Sequence, residues 1–269
     1  MSKIIIFTDL DGTLLHPKTY SFEDAKSAIR LIKETSIPLV LCSSKTRAEI
    51  DVYRKRLGNS HPFVSENGGG IFIPKGYFES VGWAVPTISY DGYETTVIGS
   101  PYQEIRKTFL ELKLELNAKV IGFGDMTARE VAAISGLTEE EGTLAKEREF
   151  GEPFIFEGEP DERFLRAIEE KGLHWTQGRF FHILGDNDKG KAVKILKHLY
   201  RKAFGEIVTI GLGDGFNDLP MLKEVDHPVL IPKEDGSYDT RVGIPNIIKA
   251  AKPGPDGWNE IIKGLLISL

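Results

Sequence analysis

Cysteine is almost missing from this chain. Cys42 is the only one in 269 residues, so no intramolecular disulfide can form and no cysteine-based zinc site is available. It lies in Pro38-Leu39-Val40-Leu41-Cys42, where a buried and inert thiol is expected. No apolar run has the length that a bilayer-spanning helix needs. There is also no internal repeat, no low-complexity segment and no dense Lys/Arg run. With 34 basic against 40 acidic residues the net charge is −6, which argues against nucleic acid as a main partner. The N-terminus carries one lysine before a short apolar strand, a pattern unlike a secretory leader, so a cytoplasmic protein without membrane contact is expected. The rest of the composition, 41% hydrophobic and 28% charged, is that of an ordinary globular protein of one large or two modest domains.

What the chain does have is a strong opening stretch, Lys3 to Leu15. Isoleucines and a phenylalanine run straight into Asp9-Leu10-Asp11-Gly12-Thr13. A short β-branched run ended by a turn signal reads as a strand buried on both faces. Ligands of open α/β sheets bind beyond the carboxyl ends of such strands. Asp-Gly alone is an ordinary acidic turn. It gains meaning only in company with residues far along the chain.

Ser21 with Asp24 resembles a capping box, and Ala25, Ile29 and Ile32 continue at helical spacing. Pro38–Cys42 reads as a second buried strand delivering Ser43-Ser44-Lys45-Thr46, and Thr46 with Glu49 as another helix start. Phe63-Val64 and Ile71-Phe72-Ile73 flank a glycine-rich turn. From Trp83 to about Ile98 the pattern is mixed and turn-rich. Helices are expected over 104–116, 127–134, 138–146 and 161–171, with strands at 120–123 and 154–156 and a strand pair within 174–185. A helix over 189–204 then leads to a strand at 207–210, Gly211-Leu212-Gly213-Asp214-Gly215-Phe216-Asn217-Asp218, a helix with Pro220 in its first turn, and a strand at 229–231. Gly254–Trp258 reads as a turn before a final helix. The expected fold is α/β: a doubly wound, mostly parallel sheet formed by residues 1–85 and 186–269, with an α+β domain inserted over 86–185.

Reactive groups fall after strands or at a helix start in four places: Asp9 and Asp11, Ser43, Lys189, and Asp214 with Asp218. Each alone has a plain reading, Ser43 as a turn hydroxyl, Lys189 as a solvated lysine, Asp214 as a turn aspartate. Together they fit phosphoryl transfer. Asp9 can attack phosphorus and form an aspartyl-phosphate. Asp11 is placed to protonate the leaving alkoxide and then deprotonate a water. Asp9, Asp214 and the backbone carbonyl of Asp11 offer the hard oxygen ligands that Mg²⁺ prefers. Mg²⁺, Lys189 and the Ser43 hydroxyl would offset the charge of a phosphate dianion. A dinucleotide-binding reading of Gly211–Gly215 fails on spacing, on its late position and on the negative charge of Asp214.

The four stretches, in this order, resemble the haloacid dehalogenase-like superfamily. In that resemblance Asp9 and Asp11 fall on the first motif, Ser43 on the second, Lys189 on the third, and Asp214 with Asp218 on the fourth. It implies that Asp218, grouped with the metal-site acids, supports the site more than it ligates. The long middle insertion looks like the α+β cap of the Cof-type branch. Ser43-Ser44-Lys45-Thr46, Ser65-Glu66-Asn67-Gly68, Arg148-Glu149-Phe150, Gly178-Arg179-Phe180 and Gly254–Trp258 are similar to stretches of the mannosyl-3-phosphoglycerate phosphatases. That resemblance implies a small phosphorylated sugar-glycerate substrate and points to Lys45, Asn67, Arg148, Arg179 and His182 as its binding residues. Other phosphatases of the scaffold, for glucosyl-3-phosphoglycerate, sucrose phosphate or hexose phosphate, remain alternatives at this point. So do a phosphomutase and a non-catalytic phosphosugar-binding protein. Oligomeric state and the preferred divalent ion are not legible.

Overall fold

The computed structural model describes residues 2–79, 88–90 and 92–269. Of the stretch expected to be turn-rich, 83–87 and 91 lie outside the described residues. Strand β1 (Lys3–Thr8) takes the middle of a large sheet, between β11 (Ile207–Gly213) and β2 (Leu39–Cys42), and is parallel to both. Six strands run parallel, in the order β13 (Ile248–Lys249), β12 (His227–Leu230), β11, β1, β2 and β3 (Phe63–Ser65). Three more continue the sheet antiparallel: β4 (Gly70–Pro74), β6 (Tyr93–Val97) and β5 (Ile88–Tyr90).

Each inner parallel strand reads as a continuous apolar run because both of its faces are covered. One face packs Ile6, Leu41, Phe63 and Ile210 against α1 (Lys26–Glu34), α2 (Arg47–Leu57) and α9 (Gly254–Ser268). The other packs Ile5, Phe7 and Val40 against Leu196 and Tyr200 of α7 (Lys189–Phe204) and Leu222 of α8 (Leu219–Glu224). Trp258, fully buried on α9, donates its indole N–H to Thr8 Oγ1 at 3.0 Å and ties the last helix to the first strand.

A second, four-stranded antiparallel sheet has the order β7 (Val120–Gly122), β8 (Gly151–Phe156), β10 (Phe181–Leu184) and β9 (His174–Gln177). Helices α3 (Tyr102–Glu115) and α6 (Glu162–Glu170) close its own core around Phe109, Phe154 and Phe164. Helices α4 (Ala128–Ser135) and α5 (Glu139–Ala145) flank a smaller cluster containing Phe123 and Val131.

Three expectations are corrected. The strands at 88–90 and 93–97 pair into the large sheet, not into the insertion begun at residue 86. Their backbone N–H and C=O groups complete the open edge of β4, which sequence pattern could not show. The Ser21–Asp24 capping box does not form: α1 begins at Lys26 after a 3₁₀ turn, and Ser21 Oγ accepts only from Glu23 N at 3.2 Å. Gly254–Trp258 is already the first turn of α9, with Pro255 where a missing N–H costs nothing.

Candidate active site

The carboxyl ends of β1, β2 and β11 meet under a cavity of about 420 Å³, roofed by residues of the second sheet and its helices. Asp9 follows β1 directly and is 4% exposed. The chain turns sharply at Gly12, whose φ is +79° and whose missing Cβ would lie 2.6 Å from Asp214 Oδ2. Only glycine allows the turn and lets Asp214 approach.

Lys189 opens α7 and is fully buried, its Nζ 2.5 Å from Asp9 Oδ1 and 2.6 Å from Asp218 Oδ1. Burial works to lower its pKa, but Asp218 and Asp9 more than offset that and hold the ammonium above the ordinary lysine value. The other oxygen of Asp218 accepts from the Asp214 and Gly215 N–H groups at 3.0 and 3.1 Å. Burial pushes the Asp9 carboxyl up to about 7 against the pull of Lys189. Asp214 is held well above the usual carboxylate range by burial, then by Asp218 and Asp9.

Oxygens of Asp9, Asp214 and Asp218 all lie within 4.8 Å of one another. Asp218 is spent on Lys189 and two backbone donors, so the atoms open to a cation come from Asp9 and Asp214. Among the described residues, three clustered carboxylates face a single lysine, and the uncompensated negative charge fits a hard divalent ion. The Asp11 carboxylate stands apart from this group. Its Oδ2 contacts Lys45 Nζ at 3.0 Å, and its buried Oδ1 has no hydrogen-bond partner among the described residues.

The structure distributes the remaining predicted residues unevenly. Ser43 is fully buried, its hydroxyl accepts from Lys45 N at 3.2 Å, and it is not among the residues that line the cavity. Lys45 lines the cavity, yet its ammonium is shared between Asp11 and Glu49, the latter at 3.2 Å. Burial would lower its pKa, and Asp11 and Glu49 outweigh that and raise it. Asn67 sits in a left-handed turn with φ of +53° and accepts from Asn217 Nδ2 at 3.2 Å; Asn217, not Asn67, reaches the cavity.

Arg148 reaches across from the second sheet to the large one. Its Nε lies 3.2 Å from Glu66 Oε2 and donates to Gly151 O at 3.0 Å, while Nη1 donates to Ser44 O at 3.1 Å. Its buried Nη2 has no hydrogen-bond partner among the described residues. His182 also lines the cavity; burial, then Arg148 and Lys189, hold its imidazole well below the ordinary value, so it is neutral. Arg179 hangs over the mouth, where Nη1 and Nη2 donate to the carbonyls of Ser135 and Ile134 at the end of α4, at 2.7 and 3.2 Å. Nη1 also donates to Tyr20 Oη at 2.9 Å.

Sequence reasoning missed Glu66, Tyr20 and Arg241. Glu66 accepts from the Glu149 and Phe150 N–H groups as well as facing Arg148, so it anchors the joint between the two sheets. Arg241 forks onto Asp239 at 2.9 and 2.6 Å and donates to Gln177 Oε1 of β9 at 2.6 Å, a further bond between the units. The only signal for it was an Asp-Thr-Arg turn in an unpatterned loop.

The geometry offers a buried carboxylate held by a lysine, a second carboxylate beside it, and arginines on the roof. The chain matches the haloacid dehalogenase-like hydrolase family over residues 6–80. It is 46% identical over 267 residues to a glucosyl-3-phosphoglycerate/mannosyl-3-phosphoglycerate phosphatase of Methanococcoides burtonii, covering 98% of this chain and 97% of that one. It is 38% identical over 229 residues to a mannosyl-3-phosphoglycerate phosphatase of Pyrococcus furiosus, covering 84% and 90%. A solved phosphatase of the same superfamily from Bacteroides thetaiotaomicron aligns with a TM-score of 0.66 at 19% identity over 99% and 95% of the two chains, a likeness of fold alone. The chain belongs to the glucosyl-3-phosphoglycerate/mannosyl-3-phosphoglycerate phosphatase family of haloacid dehalogenase-like hydrolases.

Proposed function

We propose that this protein hydrolyses the phosphate monoester of 2-O-mannosyl-3-phosphoglycerate to mannosylglycerate and phosphate in compatible-solute synthesis, with Mg²⁺ as cofactor. The glucosyl counterpart joins it as a substrate, because relatives 46% identical to this chain are named for both sugars. The observation that carries the reading is Asp9 bonded to Lys189 at the foot of a cavity with a cationic roof. A substrate bearing both a phosphate and a carboxylate needs cations at two levels of one cavity.

Asp9 attacks phosphorus through a carboxylate oxygen, the ester P–O bond breaks, and the leaving alkoxide takes a proton from Asp11. A water then gives its proton to Asp11 and attacks the aspartyl-phosphate, releasing inorganic phosphate and restoring Asp9. Lys189 aims Asp9 and favours its ionised form against the effect of burial, and Asp218 holds Lys189 in place. Lys45 fixes the orientation of Asp11. Asp9 and Asp214, with the Asp11 carbonyl, would hold the metal; when bound, Mg²⁺ supplies positive charge that offsets the phosphate's. Arg148 Nη2, Arg179 and the neutral His182 supply polar groups to the glycerate and sugar ends. A phosphomutase or a non-catalytic sensor has no observation in its favour.

Phosphate release from mannosyl- and glucosyl-3-phosphoglycerate, sucrose 6-phosphate, mannose 6-phosphate and 3-phosphoglycerate, with Mg²⁺ and with chelator, tests the reading. The glycosyl-phosphoglycerates are expected to lead in kcat/KM by orders of magnitude. If simple hexose phosphates win, the substrate assignment fails. Activity that survives complete metal removal would sink the mechanism.

A further inference from the structure

Tyr20, on the loop after β1, adopts a φ of +54°. A bulky side chain in the left-handed region is strained, and such strain persists only where the surroundings enforce it. Phosphoryl transfer by Asp9 and Asp11 gives Tyr20 no task, yet it lines the cavity and touches two groups that have one. Lys45 Nζ stands 4.8 Å from the centre of its ring, in addition to its bonds to Asp11 and Glu49. Lys45 is 5% exposed, so water does not dilute the attraction of ammonium to ring face. At the other end, Tyr20 Oη donates to Ser135 O at 2.6 Å and accepts from Arg179 Nη1 at 2.9 Å. Both partners belong to the segment that roofs the cavity.

One stiff side chain therefore spans from the Lys45–Asp11 pair to the roof. We infer that Tyr20 is a positioning residue that couples the seating of the second unit over the cavity to the orientation of Asp11. The hydroxyl holds the roof, and the ring holds the lysine that holds Asp11. The inference rests on the phosphatase reading, with Asp11 as the proton donor and acceptor.

The two ends separate by substitution. Tyr20→Phe keeps the ring and removes the roof bond. Its KM for mannosyl-3-phosphoglycerate is expected to rise about tenfold, with kcat within about twofold of wild type; about 1.4 kcal/mol corresponds to that tenfold change. Its turnover of a small aryl phosphate, which reaches Asp9 without needing the roof, stays unchanged. Tyr20→Leu also removes the ring, and kcat is expected to fall about tenfold further on both substrates. A thermal melt of each variant checks folding, and the phenylalanine variant decides the question alone if the leucine variant is poorly folded. A phenylalanine variant indistinguishable from wild type on both substrates overturns the coupling. So does one that loses kcat on the aryl phosphate, and so does a folded leucine variant with wild-type kcat. Wild-type protein that releases phosphate from neither substrate overturns the phosphatase reading instead.

Discussion

At the scale of single residues, charge compensation governs this protein. Lys189 is fully buried and answers two carboxylates, and among the described residues no lysine or arginine pairs with Asp214. Asp9, Asp11, Lys189 and Asp214 were legible in the sequence because short-range order fixes them: each follows a strand or opens a helix. Tyr20, Glu66 and Arg241 were not, since their roles come from contacts between segments far apart in the chain. Lys45 was legible as a site residue and the helix start at Thr46 was legible too, but the sequence did not show that Glu49, besides capping that helix, also takes the Lys45 ammonium. One residue away from the site also carries a measurable charge effect. Burial, then Arg54 and Lys3, lowers the His61 pKa to about 4, and its Nδ1 lies 2.7 Å from Tyr77 Oη. The unfolded chain takes up this proton near 6.5, whereas the folded protein resists it down to about 4. Stability from this group is therefore whole above pH 6.5 and is lost as pH falls towards 4, by on the order of 2 kcal/mol after allowance for solvent screening. Urea titrations at pH 7, 5.5 and 4.5 should show the loss, and His61→Gln should flatten that part of the profile. An unchanged slope in the variant would assign the acid sensitivity elsewhere.

At the scale of elements, helix starts were read with mixed success for a physical reason. A capping box needs the backbone to be extended at its first residue, and sequence spacing cannot guarantee that. Thr46 has φ −65° and ψ 163°, and both reciprocal bonds with Glu49 form. Ser21 has the same spacing, but a 3₁₀ turn intervenes before α1. Thr46 does more than cap, because its hydroxyl also donates to Leu144 O at the end of α5 and so touches the second unit. Thr46→Ala is expected to cost about 1 kcal/mol of stability. Losing the fixed Glu49 should also loosen Lys45, so kcat should drop severalfold while the fold persists. Chemical denaturation and steady-state kinetics on the same preparation measure both. Full activity in the variant would detach the cap from the site. The β5–β6 pair illustrates the opposite limit: nothing in a mixed, turn-rich stretch announces which of two sheets will accept it.

At the scale of the whole molecule, each sheet has an apolar core of its own, and beside the apolar contact of Phe150 with the large-sheet core the two are joined by polar bonds. Arg148 to Glu66 and Ser44, Arg179 to Tyr20, and Arg241 to Gln177 all cross between them. Polar joints of this kind permit movement of one body on the other, as opening for product release requires. The large sheet, by contrast, converges on unbalanced carboxylates, and a bound divalent ion should stabilise it as a unit. At about 100 times its Kd, Mg²⁺ is expected to add about 2.7 kcal/mol, which for a chain of this size is a rise in Tm of roughly 5–10 °C. Calorimetry with metal and with chelator measures the shift, and Asp214→Asn should abolish most of it. An equal shift in that variant would place the ion somewhere else.

The central place of β1 also sets an order of events on the ribosome. The strand that carries Asp9 is made first, yet its second neighbour, Ile207–Gly213, is made late. Everything that forms the smaller sheet emerges in between. The nascent chain thus holds an unpaired edge on a central apolar strand while a complete second sheet passes out of the tunnel. Lys189, the residue that neutralises Asp9, arrives shortly before that edge is closed. Catalytic competence is therefore one of the last properties the growing chain acquires.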